Sequence, residues 1–209
     1  SDLIIAGSNF IFSHIHQNYP KNLTLKKKFL VIFRGINVDY FDPSTTLDNE
    51  ENRLTSDWAL DRNKKTILMP GRLTAWKGQK IFIEALNLVN KELGYEPFNA
   101  IILGSDQGRD IYTKKIKRLA EQYRLTNHLK FIEHCKNMPL AYKISDIVVS
   151  TSVEPEAFGR VAVEAQSMEK IIIASDIGGS KETIVNNVTG FLFQSGNAEA
   201  LSKKIVEVL

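Results

Sequence analysis

Three stretches of this chain combine residue types that chemistry can use. The first is Pro70-Gly71-Arg72-Leu73-Thr74-Ala75-Trp76-Lys77-Gly78. Its glycines permit close backbone approach. Arg72 supplies a planar fork of donors and Lys77 a mobile point charge, the pair that suits a diphosphate. Both cations fall before or at the start of a helical pattern, where the helix dipole favours negative charge. An anion held between them resolves that mismatch. Two solvated surface cations are the alternative, since the mismatch costs only ~0.3–1 kcal/mol per exposed charge. No Gly-Lys-Ser/Thr closes the loop, so it is not a Walker loop.

The second stretch is Glu154-Pro155-Glu156-Ala157-Phe158-Gly159-Arg160-Val161-Ala162-Val163-Glu164. Pro155 limits helix entry, which leaves Glu156 in the loop and starts a helix near Phe158. The free N–H groups of Phe158, Gly159, Arg160 and Val161 then form an anion or hydroxyl site. Glu156 stands ahead of it and Glu164 nearly two turns in. Carboxylates accept paired hydrogen bonds from vicinal hydroxyls, as on a sugar or ribose. The plainer reading has Glu156 complementing the dipole and Glu164 on the surface. The third stretch, Asp176-Ile177-Gly178-Gly179-Ser180-Lys181-Glu182, either cradles phosphate or sugar oxygens or is a tight turn with Ser180 as N-cap. Gly104-Ser105-Asp106-Gln107-Gly108 is a weaker signal of the same kind.

Other chemistries find little support. His14, His16, His128 and His134 lack metal-ligand spacing, so no metal site is expected. Cys135 is the single cysteine, which excludes a disulfide framework within the chain. Beside His134 on a strand it would face the other way, as a buried inert thiol. No G-x-S-x-G elbow is present. Lys and Arg total 27 against 24 Asp and Glu, without a basic stripe, and the runs Lys26-Lys27-Lys28 and Arg62 to Lys65 read as surface. No nucleic-acid partner is expected.

The elements that must position these loops follow from patterning. From Thr66 onward six short apolar runs alternate with helical stretches: 66–69, 100–103, 129–132, 147–150, 170–174 and 190–193, with helices over 79–93, 109–123, 138–145, 158–168, 180–186 and 197–209. Strands without polar alternation are buried on both faces, so the expectation is α/β: a Rossmann-like, doubly wound, parallel six-stranded sheet between helices. Ligands bind such sheets at the carboxyl ends of the strands, where the three loops fall. Ahead of it, residues 1–41 read as a strand–helix–strand remnant of another lobe, too few strands to stand alone. Residues 42–65, ten of 24 charged, read as a linker or surface loop with Trp58 and Leu60 as isolated anchors. Residues 66–209 form the main domain. Both ends read as cut: Ser1 is within three residues of a strand, and Leu209 falls inside an apolar-periodic helix. With 43% hydrophobic residues, no run near the roughly 20 needed to span a bilayer and no leader pattern, a soluble cytoplasmic protein is expected.

Taken together, Gly71-Arg72 with Lys77-Gly78, Glu156 and Glu164 with seven residues between them, Gly178-Gly179 with Glu182, and Asn187-Val188-Thr189-Gly190-Phe191 resemble the donor-binding lobe of retaining GT-B glycosyltransferases, family four. Asp2-Leu3-Ile4-Ile5-Ala6-Gly7-Ser8 and Arg34-Gly35-Ile36-Asn37-Val38-Asp39-Tyr40-Phe41 resemble the end of that family's first, acceptor-binding lobe. The resemblance implies metal-independent sugar transfer with retention from a UDP-, GDP- or ADP-sugar, and no resident cofactor. It places Arg72 and Lys77 on the diphosphate, and Glu156 on the transferred sugar near Gly71, Phe158, Gly159 and Arg160. Val161 N–H would face a phosphate, and Glu164 the ribose. Gly104, Ile132, Glu133 and His134 would lie near the base, although the glycine usual near Glu133 is absent. It also implies a glycan or lipid-linked glycan acceptor in cell-envelope polysaccharide synthesis, at the inner face of the membrane. The missing first lobe would leave the fragment inactive alone. Rival readings are a non-catalytic nucleotide-binding or interaction module, a nucleic-acid-binding domain, and a sugar phosphorylase, for which no pyridoxal lysine stands out.

Overall fold

A computed structural model describes residues 3–19, 28–94, 98–108 and 110–209. Asp2, Lys26 and Lys27 lie outside them. The chain opens with β1 (Leu3–Ala6), α1 (Asn9–Asn18) and β2 (Lys28–Val31). The two strands pair in parallel, Leu3 opposite Lys28 and Ala6 opposite Val31. Ser8 caps α1, its Oγ accepting from the Ile11 N–H at 3.1 Å. Ala6 is buried, but Ile5, Ile32 and Phe33 stay more than half exposed. The apolar run outlasts the strand, which ends at Val31, and the Ile32 and Arg34 N–H groups still donate to Ala6 O and Gly7 O at 3.0 and 3.2 Å.

Residues 42–65 are not a loop throughout. Asp42 caps a 3-10 turn (Pro43–Thr45), and α2 (Asp48–Asp57) follows. The charges that make the segment read as loop are what start this helix. Asp48, Glu50 and Glu51 fill its first turn, where the dipole favours them. Leu54, Trp58 and Leu60 pack onto the core. The apolar residues are few, yet Leu54 and Trp58 sit four apart on one helical face.

Then come β3 (Lys65–Pro70), a 3-10 turn (Ala75–Lys77), α3 (Gln79–Leu93), β4 (Phe98–Leu103), α4 (Asp110–Gln122), β5 (Leu129–Ile132), α5 (Met138–Lys143), β6 (Ile147–Ser150), α6 (Arg160–Ser167), β7 (Ile171–Ser175), α7 (Ser180–Thr183), β8 (Phe191–Phe193) and α8 (Ala198–Val208). The six strands form one parallel sheet in the order β5-β4-β3-β6-β7-β8. That is the doubly wound order of two mononucleotide-binding halves. Side chains alternate across it. Ile67, Met69, Ile102, Val149 and Ile173 pack on one face with Phe82, Leu86, Ile116 and Leu201. Leu68, Ile101, Val148 and Ile172 pack on the other with Tyr142, Ala162, Ala165, Trp58 and Phe41. Both faces are covered, as the unbroken apolar strands require.

Candidate functional site

From β3 the chain winds outward one way, through β4 and β5; from β6 it winds the other way, through β7 and β8. The loops leaving β3 and β6 therefore flank a topological switch point, where such sheets bind ligands. They are strapped together. The Val153 N–H donates to Trp76 O at 2.8 Å, and the Thr151 hydroxyl lies 2.9 Å from Lys77 O. Gly78 makes this possible. Its φ is +74°, and a Cβ there would stand 2.0 Å from Thr151 O.

The strap sets Lys77 against Glu156, Nζ to Oε1, at 2.8 Å, with each side chain only 14% exposed. The Ser152 hydroxyl donates to the same carboxylate oxygen. The Lys77 ammonium lies 4.4 Å from the Trp76 ring centroid and the Arg72 guanidinium carbon 5.7 Å from it. One indole ring thus meets both cations. Fully buried Gln79 fixes the loop from below, donating to Arg72 O at 2.8 Å. The three residues taken from sequence as the reacting set, Arg72, Lys77 and Glu156, are brought together.

Beyond β6, Gly159 is the N-cap of α6, so the helix starts at Arg160 rather than Phe158. The N–H groups of Phe158, Gly159, Arg160 and Val161 find no acceptor among the described residues. They form the expected polar, positive end. Glu164 is not a surface residue. It is 6% exposed, accepts from Arg160 at 2.7 Å on Oε1, and accepts from the Tyr142 hydroxyl at 2.8 Å on Oε2. Burial first, then the Glu164 charge and hydrogen bond, push the Tyr142 phenol well above its ordinary value. Tyr142 therefore stays a neutral donor. Arg160 and Glu164 line a cavity of about 660 Å³ with Arg34, Ile36, Tyr40 and Met138, within the range of ligand clefts.

Gly104 touches the first loop: a Cβ on it would stand 2.0 Å from Gly71 O. With Leu73, Ile132 and Glu133 it lines a hollow of about 20 Å³. His134 is exposed and does not line that hollow. Three expectations change here. Gly179, not Ser180, holds the N-cap of α7, without a side-chain bond; a glycine carbonyl already accepts from Glu182 and Thr183. β5 ends at Ile132, so His134 and Cys135 are in a loop, not on a strand. The Cys135 thiol is half-buried, donates to Asn137 O at 3.1 Å, and is pushed up by burial. No cluster of three or more potential metal ligands exists among the described residues. A cavity of about 700 Å³ between α3 and α4, lined by Lys80, Ile111 and Arg118, contains none of the paired loop residues.

Tyr142, Ser152, Thr151, Gln79 and Trp76 are the supporting residues that spacing alone does not reveal. The polar triplet Ser150-Thr151-Ser152, directly after an apolar strand, is the one readable signal.

Residues 50–209 match the family described as glycosyl transferases group 1. This chain belongs to that family. It is 24% identical over 212 residues to the D-inositol 3-phosphate glycosyltransferase of Corynebacterium urealyticum, covering 100% of this chain and 49% of that protein. A glycosyltransferase from Rickettsia africae superposes with a TM-score of 0.91 at 37% identity, over 99% of this chain and 53% of the other. Anabaena HepE, solved in complex with UDP-glucose, superposes with a TM-score of 0.86 at 28% identity, over 99% of this chain and 54% of the other. The chain spans about half the length of these glycosyltransferases and matches the C-terminal halves of GT-B members. No helix among the described residues is long and apolar enough to cross a membrane.

Proposed function

We propose that this chain is the donor-binding half of a retaining glycosyltransferase that moves a sugar from a nucleotide-diphosphate sugar to an acceptor. The carrying observation is the 2.8 Å contact of Lys77 with Glu156 at the switch point of the sheet. Without donor, the two charges neutralise each other. With donor, the diphosphate takes Lys77 and Arg72, and hydroxyls of the transferred sugar take Glu156. Gly71 and the N–H groups of Phe158, Gly159 and Arg160 line the path, and the Val161 N–H faces a phosphate. Glu164, fixed by Tyr142 and Arg160, accepts from the ribose hydroxyls. Gly104, Ile132 and Glu133 border the base.

The chemistry follows from charge. As the bond between sugar and diphosphate breaks, negative charge grows on the departing oxygen. Two fixed cations and a helix N-terminus stabilise that charge without reorganising, and no metal ion is required of them. The HepE complex supports a UDP-sugar donor; GDP- and ADP-sugars are the other donors to screen. We assign the acceptor to glycans or lipid-linked glycans, at the inner face of a membrane. Because its relatives are twice as long, these 209 residues are proposed to bind donor and transfer little sugar.

Thermal denaturation against UDP-, GDP- and ADP-sugars tests the reading. One nucleotide series at about a hundredfold excess over its Kd raises Tm by about 5–10 °C. No shift with any of the three contradicts it.

A further inference from the structure

We infer that Glu182, together with Ser8, is a positioning residue that locks the N-terminal β1–α1–β2 unit onto the sugar-contacting loop 154–159; the inference rests on the donor reading above. Glu182 is the third residue of α7 and is not in contact with the paired charges at the switch point. Its carboxylate nonetheless receives three hydrogen bonds from one place. Oε2 accepts from the Asn9 backbone N–H at 2.9 Å and the Asn9 amide at 3.0 Å, and Oε1 accepts from the Phe10 N–H at 2.5 Å. Asn9 and Phe10 are the first two residues of α1, whose N–H groups have no acceptor within the helix. A carboxylate at that end also opposes the helix dipole favourably.

The same turn of chain braces the loop. The Gly179 N–H donates to Glu156 O at 2.8 Å. A Cβ on Gly178 would stand 2.7 Å from Glu156 N and O, and one on Gly179 would stand 2.5 Å from the Phe158 Cα. Only a bare backbone fits that close. Ser8 completes the ring from the other side. Its hydroxyl accepts from the Ile11 N–H and donates to Ala157 O at 2.5 Å, and the residue is fully buried. Residues 156–158 are therefore gripped by the glycine pair on one flank and by Ser8 on the other. Glu182 ties the two grips together through the start of α1.

This network reaches the segment that faces the transferred sugar. The strap that holds the phosphate-facing cations, Thr151 and Val153 against Trp76 and Lys77, uses none of these hydrogen bonds and meets the network only where Lys77 pairs with Glu156. Loosening the latch should blur the sugar position and spare the nucleotide. The three hydrogen bonds also give the Gly-Gly-x-x-Glu spacing a role that neither a phosphate cradle nor a simple turn explains.

The test is calorimetry of UDP and UDP-glucose on the whole 209-residue chain, wild type against Glu182→Ala, with the glutamine variant as partial rescue. In the alanine variant UDP binds within about twofold of wild type, and the advantage of UDP-glucose over UDP falls about fivefold or more. Glu182→Gln keeps one acceptor oxygen and falls between. Ser8→Ala, from the opposite side of the ring, lowers the same ratio, and it serves alone should Glu182→Ala fail to fold. An unchanged ratio in the variants, or a parallel loss of both affinities, overturns the latch while leaving the donor reading in place. A wild-type chain that binds neither ligand overturns both.

Discussion

Glu164 has almost no access to water, yet two donors meet it from different elements: Arg160 from its own helix and Tyr142 from α5. Burial raises the Tyr142 phenol above its ordinary value of 10.0, so the folded protein holds that proton more tightly than the unfolded chain. The stabilisation is complete below that ordinary value and is lost as pH rises from there through the raised folded value. Urea midpoints for wild type and Tyr142→Phe check this. At about pH 8 the phenylalanine variant is destabilised by ~1–3 kcal/mol, because a buried carboxylate loses a donor. Towards about pH 11 the difference narrows, since wild type alone carries this titration. At this scale, Arg72, Lys77, Glu156 and Glu164 are legible because their type and spacing clash with plain helix electrostatics or suit hydroxyls. Tyr142 is illegible because it stands 22 positions before Glu164 and meets it only once α5 and α6 pack on the same sheet face.

Among the elements, α2 separates composition from structure most clearly. Its charged residues suggest solvent, and they do face solvent, while Leu54 and Trp58 turn inward. Phe41 joins the same cluster, edge-on to Tyr142 with ring centroids 5.9 Å apart, and Ser167 of α6 donates to Phe41 O at 2.6 Å. The segment before β3 is thus part of the core beneath Glu164. Trp58 is 8% exposed. Trp58→Ala is expected to cost ~3–5 kcal/mol in a denaturant titration. A detached linker would give a change within about 0.5 kcal/mol. The parallel strands and long helices are legible from their apolar runs. The start of α6 is not, because Gly159 takes a left-handed φ of 81° at the cap, which no hydrophobic pattern encodes.

For the whole molecule, the decisive fact is strand order. Apolar runs announce six parallel strands, but not that β3 and β6 are neighbours. Only that adjacency sets Lys77, nine positions short of α3's midpoint at Leu86, against Glu156 on a loop far along the chain. Stability should be uneven for the same reason. β3, β4 and β6 lie inside a sheet covered on both faces, whereas among the described residues β1 and β2 make a two-stranded sheet with Ile5 and Leu30 about half exposed. Hydrogen exchange should protect β3, β4 and β6 to the global limit and release β1 and β2 through local opening. Equal protection in both sheets would contradict that division. The central claim, that Lys77 is held by Glu156 until a donor diphosphate takes it, has a direct measurement: calorimetry of UDP-glucose into wild type and Lys77→Ala. Loss of one charge-assisted contact predicts binding weaker by about 1.5–3 kcal/mol, or roughly 10- to 150-fold; equal affinities for the two proteins would contradict it.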